Sequence, residues 1–246
     1  MEGYKKQLKV YNVKIINNIA VAIFFVAFIV GAVINFVATD SPYLATGKVW
    51  GDMILSVGLL VVGVFVHEGI HALAALIFGK TGGENIVFGI KPKEGFLFCH
   101  CKAPITVNAY RIMLILPFII TAVIPYIVTV ITGGLMLIAV FSMLMSGAAG
   151  DLVMFFGLIK IKDGKNRRVL DHPDTVGYYL LYKEDELPDG FSEMTEEEEK
   201  AYIEKNTHPV AERTRKGMML KILGIGVFCA LVVVSLYLIA LIMKII

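Results

Sequence analysis

The sequence predicts an all-α integral membrane bundle of about five transmembrane helices, with a small β-hairpin in the loop between helices 2 and 3. Three observations predict it. Apolar residues make up 57% of the 246-residue chain and charged residues only 18%, below the roughly 25% usual in soluble domains. The apolar residues fall in long unbroken runs. Each run reaches the ~20 residues that a helix needs to cross the hydrocarbon layer. The same composition excludes other classes. There is too much apolar area for a disordered chain. Three cysteines are too few for a disulfide-stapled secreted domain. A net charge of +2 is too slight for a nucleic-acid binder.

The elements follow in chain order. The first run, Ile19 to Val37, is too long for a signal-peptide core and lacks the usual small-residue cleavage site behind it, so it reads as a retained span. The second is Met53 to Phe78. After it, Asn85 to Ile90 and Phe96 to Lys102 flank the turn-like Lys91-Pro92-Lys93-Glu94-Gly95, which is the pattern of a hairpin. The third span, Ile112 to Ile131, and the fourth, Leu135 to Ile159, are separated by only Thr132, Gly133 and Gly134. The loop from Lys160 to Lys216 contains a β-branched and aromatic stretch, Thr175 to Tyr182, that reads as a strand. It also contains the acidic stretch Glu193 to Asn206, read as a solvated helix face. The fifth span is Met218 to Met243. No repeat is visible, so residues 1–246 form a single membrane domain.

Basic residues orient the chain. Lys5, Lys6, Lys9 and Lys14 precede the first span. Lys80, Lys91, Lys93, Lys102 and Arg111 lie in the hairpin loop. Lys160, Lys162, Lys165, Arg167 and Arg168 follow the fourth span. The segment Ala38 to Asp52 carries only Lys48. This alternation puts the N-terminus and both long loops in the cytoplasm and the C-terminus outside.

Ionisable groups are costly inside a bilayer, so each needs a reason. The second span holds His67, Glu68 and His71, and the fourth holds Asp151. His67-Glu68-Gly69-Ile70-His71 is an H-E-x-x-H sequence. Positions four apart share a helix face, so both imidazoles can grip one metal ion while the glutamate holds a water beside it. Zn2+ fits two neutral nitrogens and one oxygen with a position left for water. Glu68 is then the general base. His71 and Asp151 both lie roughly 11–14 Å from the inner ends of their spans at 1.5 Å per residue, which makes Asp151 a candidate third ligand. His100, His172 and Glu94 in the loops are rivals for that place, and His208 reads as surface. Cys99-His100-Cys101 is at most half of a structural zinc site, and the cytoplasmic location keeps these thiols reduced.

The H-E-x-x-H within a span, the later intramembrane Asp151, and the segments Phe98-Cys99-His100-Cys101-Lys102-Ala103-Pro104 and Asp171-His172-Pro173-Asp174 resemble a family of small bacterial membrane proteins. That family was first catalogued as a domain of unknown function and later described as zincin peptidases. The resemblance covers about Val61 to Tyr182. More distantly, the layout is similar to site-2 proteases, the intramembrane zinc metalloproteases. Their pattern implies His67, His71 and Asp151 as metal ligands and Glu68 as catalytic base, although they usually show Leu-Asp-Gly where this chain has Gly150-Asp151-Leu152. It also implies a bacterial cell membrane, contact with the lipid bilayer, and a peptide or membrane protein as substrate. Such a substrate has to be drawn into an extended form, and the hairpin edge offers a strand to pair with. Asn108, Tyr110 and Arg111 are expected to line a polar inlet. Two other readings of the polar cluster are a metal or proton transporter and a catalytically inactive zinc-binding scaffold.

Overall fold

The computed structural model describes residues 3–38, 48–91, 96–173, 175–183, 185, 187–188 and 191–207. The expected span Met218 to Met243, the placement of the C-terminus, and Glu94 and His208 lie outside these residues.

Long helices dominate. Helix α1 (Val13–Ala38) begins where the Asn12 carboxamide accepts the N–H of Lys14 at 2.9 Å, an N-cap that satisfies a helix donor with no intrahelical partner. Helix α2 is Val49–Ile77. Helix α3 (Val107–Pro117) is capped by the Thr106 hydroxyl, which accepts from Ala109 N–H at 3.2 Å. It runs through a π-helical turn (Phe118–Val123) into α4 (Ile124–Thr132). Three rods are long and apolar enough to cross a membrane: Val13–Ala38, Val49–Ile77 and Val107–Thr132. Their outward faces carry exposed Val26, Ile54, Val57 and Phe65, apolar surface that suits a lipid environment and would be a liability in water.

The fourth apolar run is not one straight rod. Helices α5 (Leu135–Gly147) and α6 (Ala149–Leu158) meet at a 45° bend. The small residues Ser146 to Gly150 surround that break, where no bulky side chain enforces continuity. Before α5, Gly133 (φ 99°) and Gly134 (φ 112°) make the tight reversal from α4, a conformation that costs glycine little. Polar ties hold the bundle. Tyr126 donates to the Ala27 carbonyl at 2.6 Å, and Asn35 Nδ2 donates to the Val130 carbonyl at 3.0 Å. Gly31 lets α1 approach closely: a Cβ there would lie 2.6 Å from Tyr126 Oη and 2.8 Å from Ile138 Cγ2.

The expected hairpin forms from β2 (Ile86–Lys91) and β3 (Phe96–Cys101), paired antiparallel. An all-α description needs correcting, because a second sheet is present. Strands β1 (Tyr4–Val10), β4 (Arg167–Asp171) and β5 (Gly177–Lys183) pair antiparallel in the order β1-β5-β4. Ile105 bridges to Val169, joining the end of the hairpin segment to this sheet. The N-terminal segment, the hairpin and the 160–207 segment therefore gather at one end of the bundle. Their buried core joins Ala74 and Ala75 of α2, Tyr110 and Leu114 of α3, Leu158, Val169 and Tyr178. Helix α7 (Glu196–Thr207) starts with a capping box: Thr195 N–H donates to Glu198 Oε2 at 2.8 Å and Glu198 N–H to Thr195 Oγ1 at 3.2 Å.

Candidate metal centre

One helix supplies two of the three donors. His67 and His71 stand a turn apart on α2, both buried, with ring centroids 4.9 Å apart. Asp151 comes from the first turn of α6, just past the bend. Its Oδ2 lies 3.1 Å from His67 Nε2 and 3.4 Å from His71 Nε2. One ligand atom from each residue falls within 4.8 Å of the others. A tetrahedral zinc with ligand bonds near 2.0–2.1 Å separates its donors by about 3.3 Å, so these spacings fit a shared ion.

The outer hydrogen bonds fit as well. Thr121 Oγ1 donates to the Pro117 carbonyl at 2.8 Å, so its oxygen accepts from His67 Nδ1, 3.2 Å away. The proton then sits on Nδ1 and the Nε2 lone pair faces Asp151. Thr121 is in the π-helical turn. Pro125 brings no N–H to the ladder there, and the Ile124 N–H reaches back five residues to the Ile119 carbonyl. Such turns are frequent at functional sites. Sequence reasoning missed Thr121. The available signal was a hydroxyl midway between two prolines in an otherwise apolar span.

The triad opens on a cavity of about 590 Å³, whose lining includes Glu68, Leu97, Cys99, His100 and Asp171. Glu68 also faces the backbone N–H of Cys99. The hairpin register explains why that N–H is available. Lys102 N–H donates to the Asn85 carbonyl at 2.8 Å, so every second pair from there carries the ladder. The backbone groups of Leu97, Cys99 and Cys101 point away from β2. Cys101 N–H is taken by Asp171 Oδ2 at 3.3 Å.

The two rival ligands among the described residues, His100 and His172, make other contacts. His100 Nδ1 lies 3.3 Å from Asp171 Oδ2. His172 Nδ1 accepts the Thr175 N–H at 3.2 Å, and its ring stacks on Tyr179. Among the described residues, His67, His71 and Asp151 are the one group of three placed to share an ion. Cys99 and Cys101 are not in the group of described residues placed to share an ion. Burial, with the charges of Glu68 and Asp171 nearby, pushes the Cys99 thiol up to about 12. Burial also raises Cys101, whose thiol donates to the Ala103 carbonyl at 3.4 Å.

The expected inlet residues do other work. Tyr110 is buried and donates to Asp171 Oδ1. Arg111 donates to the carbonyls of Leu158 (2.5 Å), Ile159 (3.2 Å) and Ile161, and to Asn108 Oδ1 at 2.8 Å. A cation on the last carbonyls of a helix satisfies orphan acceptors and suits the helix dipole. Arg111 thereby ties α3 to the far end of the helix that carries Asp151.

No curated protein and no solved structure matches the chain. A family model does match, over residues 60–165, a segment running from mid-α2 to just beyond α6 that contains His67, Glu68, His71, Thr121 and Asp151. Over that segment the chain is similar to the DUF3267 family, described as "Putative zincin peptidase".

Proposed function

We propose that the protein is a membrane-embedded zinc metallopeptidase that hydrolyses a peptide bond at the cytoplasmic face of the membrane. The observation that carries this reading is the three-donor cluster of His67, His71 and Asp151, with Glu68 on the same helix beside the same cavity. His67, His71 and Asp151 would hold Zn2+. Bound there, the ion supplies Lewis acidity that polarises the scissile carbonyl and acidifies water. Glu68 takes a proton from the attacking water and returns it to the leaving nitrogen. The cytoplasmic assignment follows from the basic residues of the N-terminal segment and both long loops, which lie at the same end of the bundle.

Substrate is held as an extended strand. The outward backbone groups of Leu97 and the Cys99 carbonyl offer a short edge beside Glu68, and pairing there supplies affinity through main-chain hydrogen bonds. Beyond Cys101 that edge is closed, since Asp171 occupies the Cys101 N–H and β4 runs beside Ile105. A peptide or the unwound portion of a membrane protein meets this requirement.

The test compares wild type with Glu68→Gln in purified full-length protein. Zinc per chain and cleavage of a peptide library are both measured. Equal zinc with loss of cleavage supports the reading. A transporter would instead show altered ion flux without peptide products, and an inactive scaffold would show no cleavage in either form.

A further inference from the structure

The cavity has a second polar wall that the metal triad leaves unused. Asp171, at the end of β4, accepts from the Tyr110 hydroxyl and from the Cys101 N–H at 3.3 Å, and its Oδ2 lies 3.3 Å from His100 Nδ1. Tyr110 is 1% exposed, so the carboxylate is anchored from behind. The anchored carboxylate in turn fixes the His100 ring and commits Nδ1. The remaining nitrogen, Nε2, has no protein partner among the described residues, and the ring lines the same cavity as His67, Glu68, His71 and Asp151. Its neighbour in β3, Cys99, faces Glu68 through the backbone. Asp171 is also close enough to His71 to act on it electrostatically. The imidazole thus sits beside the place where a peptide bond under attack would lie.

We propose that His100 is a substrate-contacting residue of this cleft: held by Asp171, it donates an Nε2–H hydrogen bond to the carbonyl oxygen of the peptide bond beside Glu68. The proposal rests on the peptidase reading and adds a residue that the metal triad does not require. The donating ring carries both N–H protons, and Asp171 is its counter-charge. The physical reason is differential. In hydrolysis the carbonyl oxygen gains negative charge as water adds to carbon, and a donor already oriented toward that oxygen stabilises the charged state more than the ground state. An unanchored histidine would lose part of that gain in ordering itself. The Asp171–Tyr110 pair removes that loss before substrate arrives.

Two substitutions separate the contact from the scaffold. In His100→Asn the amide reaches as far as Nδ1, so Asp171 keeps a donor while the cleft loses one. In His100→Gln the amide reaches about as far as Nε2 and keeps a donor facing the cleft. The full-length protein, zinc-loaded in lipid nanodiscs, is titrated with a leucine-flanked phosphinic peptide, whose tetrahedral anionic oxygens resemble the charged state. Zinc per chain is measured on the same samples, and kcat and KM are measured with a leucine-rich reporter peptide. The proposal expects unchanged zinc in both variants. It expects roughly 100-fold weaker phosphinic-peptide binding in His100→Asn, with a loss in kcat larger than the change in KM, and binding nearer wild type in His100→Gln. Zinc retained with wild-type binding in His100→Asn overturns it, as does equal loss in both variants. Zinc lost from His100→Asn alone also overturns it, by making the residue part of the metal site. A wild type that binds no zinc overturns the peptidase reading itself, and the metal assay tells that failure apart from the others.

Discussion

Thr121 Oγ1 lies 3.2 Å from His67 Nδ1, and this contact decides which nitrogen of His67 faces the cleft. The hydroxyl proton is already committed to the Pro117 carbonyl at 2.8 Å, so the oxygen can only accept. A histidine left to choose would divide itself between two tautomers, and one of them points a proton at the metal position. Thr121→Val keeps the shape and removes the acceptor. Zinc affinity is expected to fall about 10- to 100-fold, while Thr121→Ser keeps most of it. Competition against a chelator of known affinity measures both. Equal affinity in Thr121→Val would show that the contact orients nothing.

Asp151 joins the site from a helix that breaks away from α5 at 45°, and Arg111 pins the far end of that helix through the carbonyls of Leu158, Ile159 and Ile161. Lysine has one charge centre in place of the guanidinium fork and cannot satisfy several carbonyls with fixed geometry. Arg111→Lys is therefore expected to loosen α6 and weaken zinc binding severalfold, whereas Asp151→Ala abolishes stoichiometric zinc. Amide exchange across residues 149–158 checks the first effect. Protection equal to wild type in Arg111→Lys would place the tie outside the design of the site.

Much of this was legible in the sequence, for identifiable reasons. A run such as Val49–Ile77 declares itself through composition, and H-E-x-x-H needs only helical periodicity to bring two imidazoles together. Asp151 was found by depth, because a costly intramembrane carboxylate at the level of His71 needs a partner. Strand β1 was not legible. Its alternation, Tyr4-Lys5-Lys6-Gln7-Leu8-Lys9-Val10, is irregular, and it acquires its partner β5 from residues 177–183, a pairing that no local signal announces. The bend at Ala148 was hidden because both halves of the run are equally apolar. Tyr110 and Arg111 were misassigned to an inlet for a related reason. A polar side chain at a helix mouth usually faces water, but here Asp171 and the α6 carbonyls draw both inward.

The cysteines of β3 give a pH prediction. Burial is the main cause that pushes Cys99 up to about 12, and the carboxylates of Glu68 and Asp171 push the same way. An unfolded cysteine titrates near 8.5. In that window the unfolded chain loses the proton while the folded one keeps it, so this group's contribution to stability is full below about pH 8.5 and declines as pH rises toward 12. Alkylation follows the thiolate. Iodoacetamide is expected to label Cys99 far more slowly than free cysteine at pH 8 in the folded protein and at the ordinary rate after denaturation. Fast labelling of the folded protein would contradict the partial burial of this thiol.

Asp171 is the strongest candidate for a single residue holding the cleft wall together. It accepts from the Tyr110 hydroxyl and the Cys101 N–H and lies 3.3 Å from His100 Nδ1, joining α3, β3 and β4. Asp171→Asn keeps the shape but replaces one acceptor oxygen by an amide that donates, leaving two donors facing each other. The expected cost is about 1–3 kcal/mol, read as a lowered unfolding midpoint in detergent. Tyr110→Phe, which deletes one donor and leaves the carboxylate charged, is expected to cost less. In the double variant the two losses should fall short of their sum, because both single changes act on the same Tyr110–Asp171 bond. Additive losses would mean that the two residues stabilise the fold independently, and the anchoring of the His100 wall through Tyr110 would then fail.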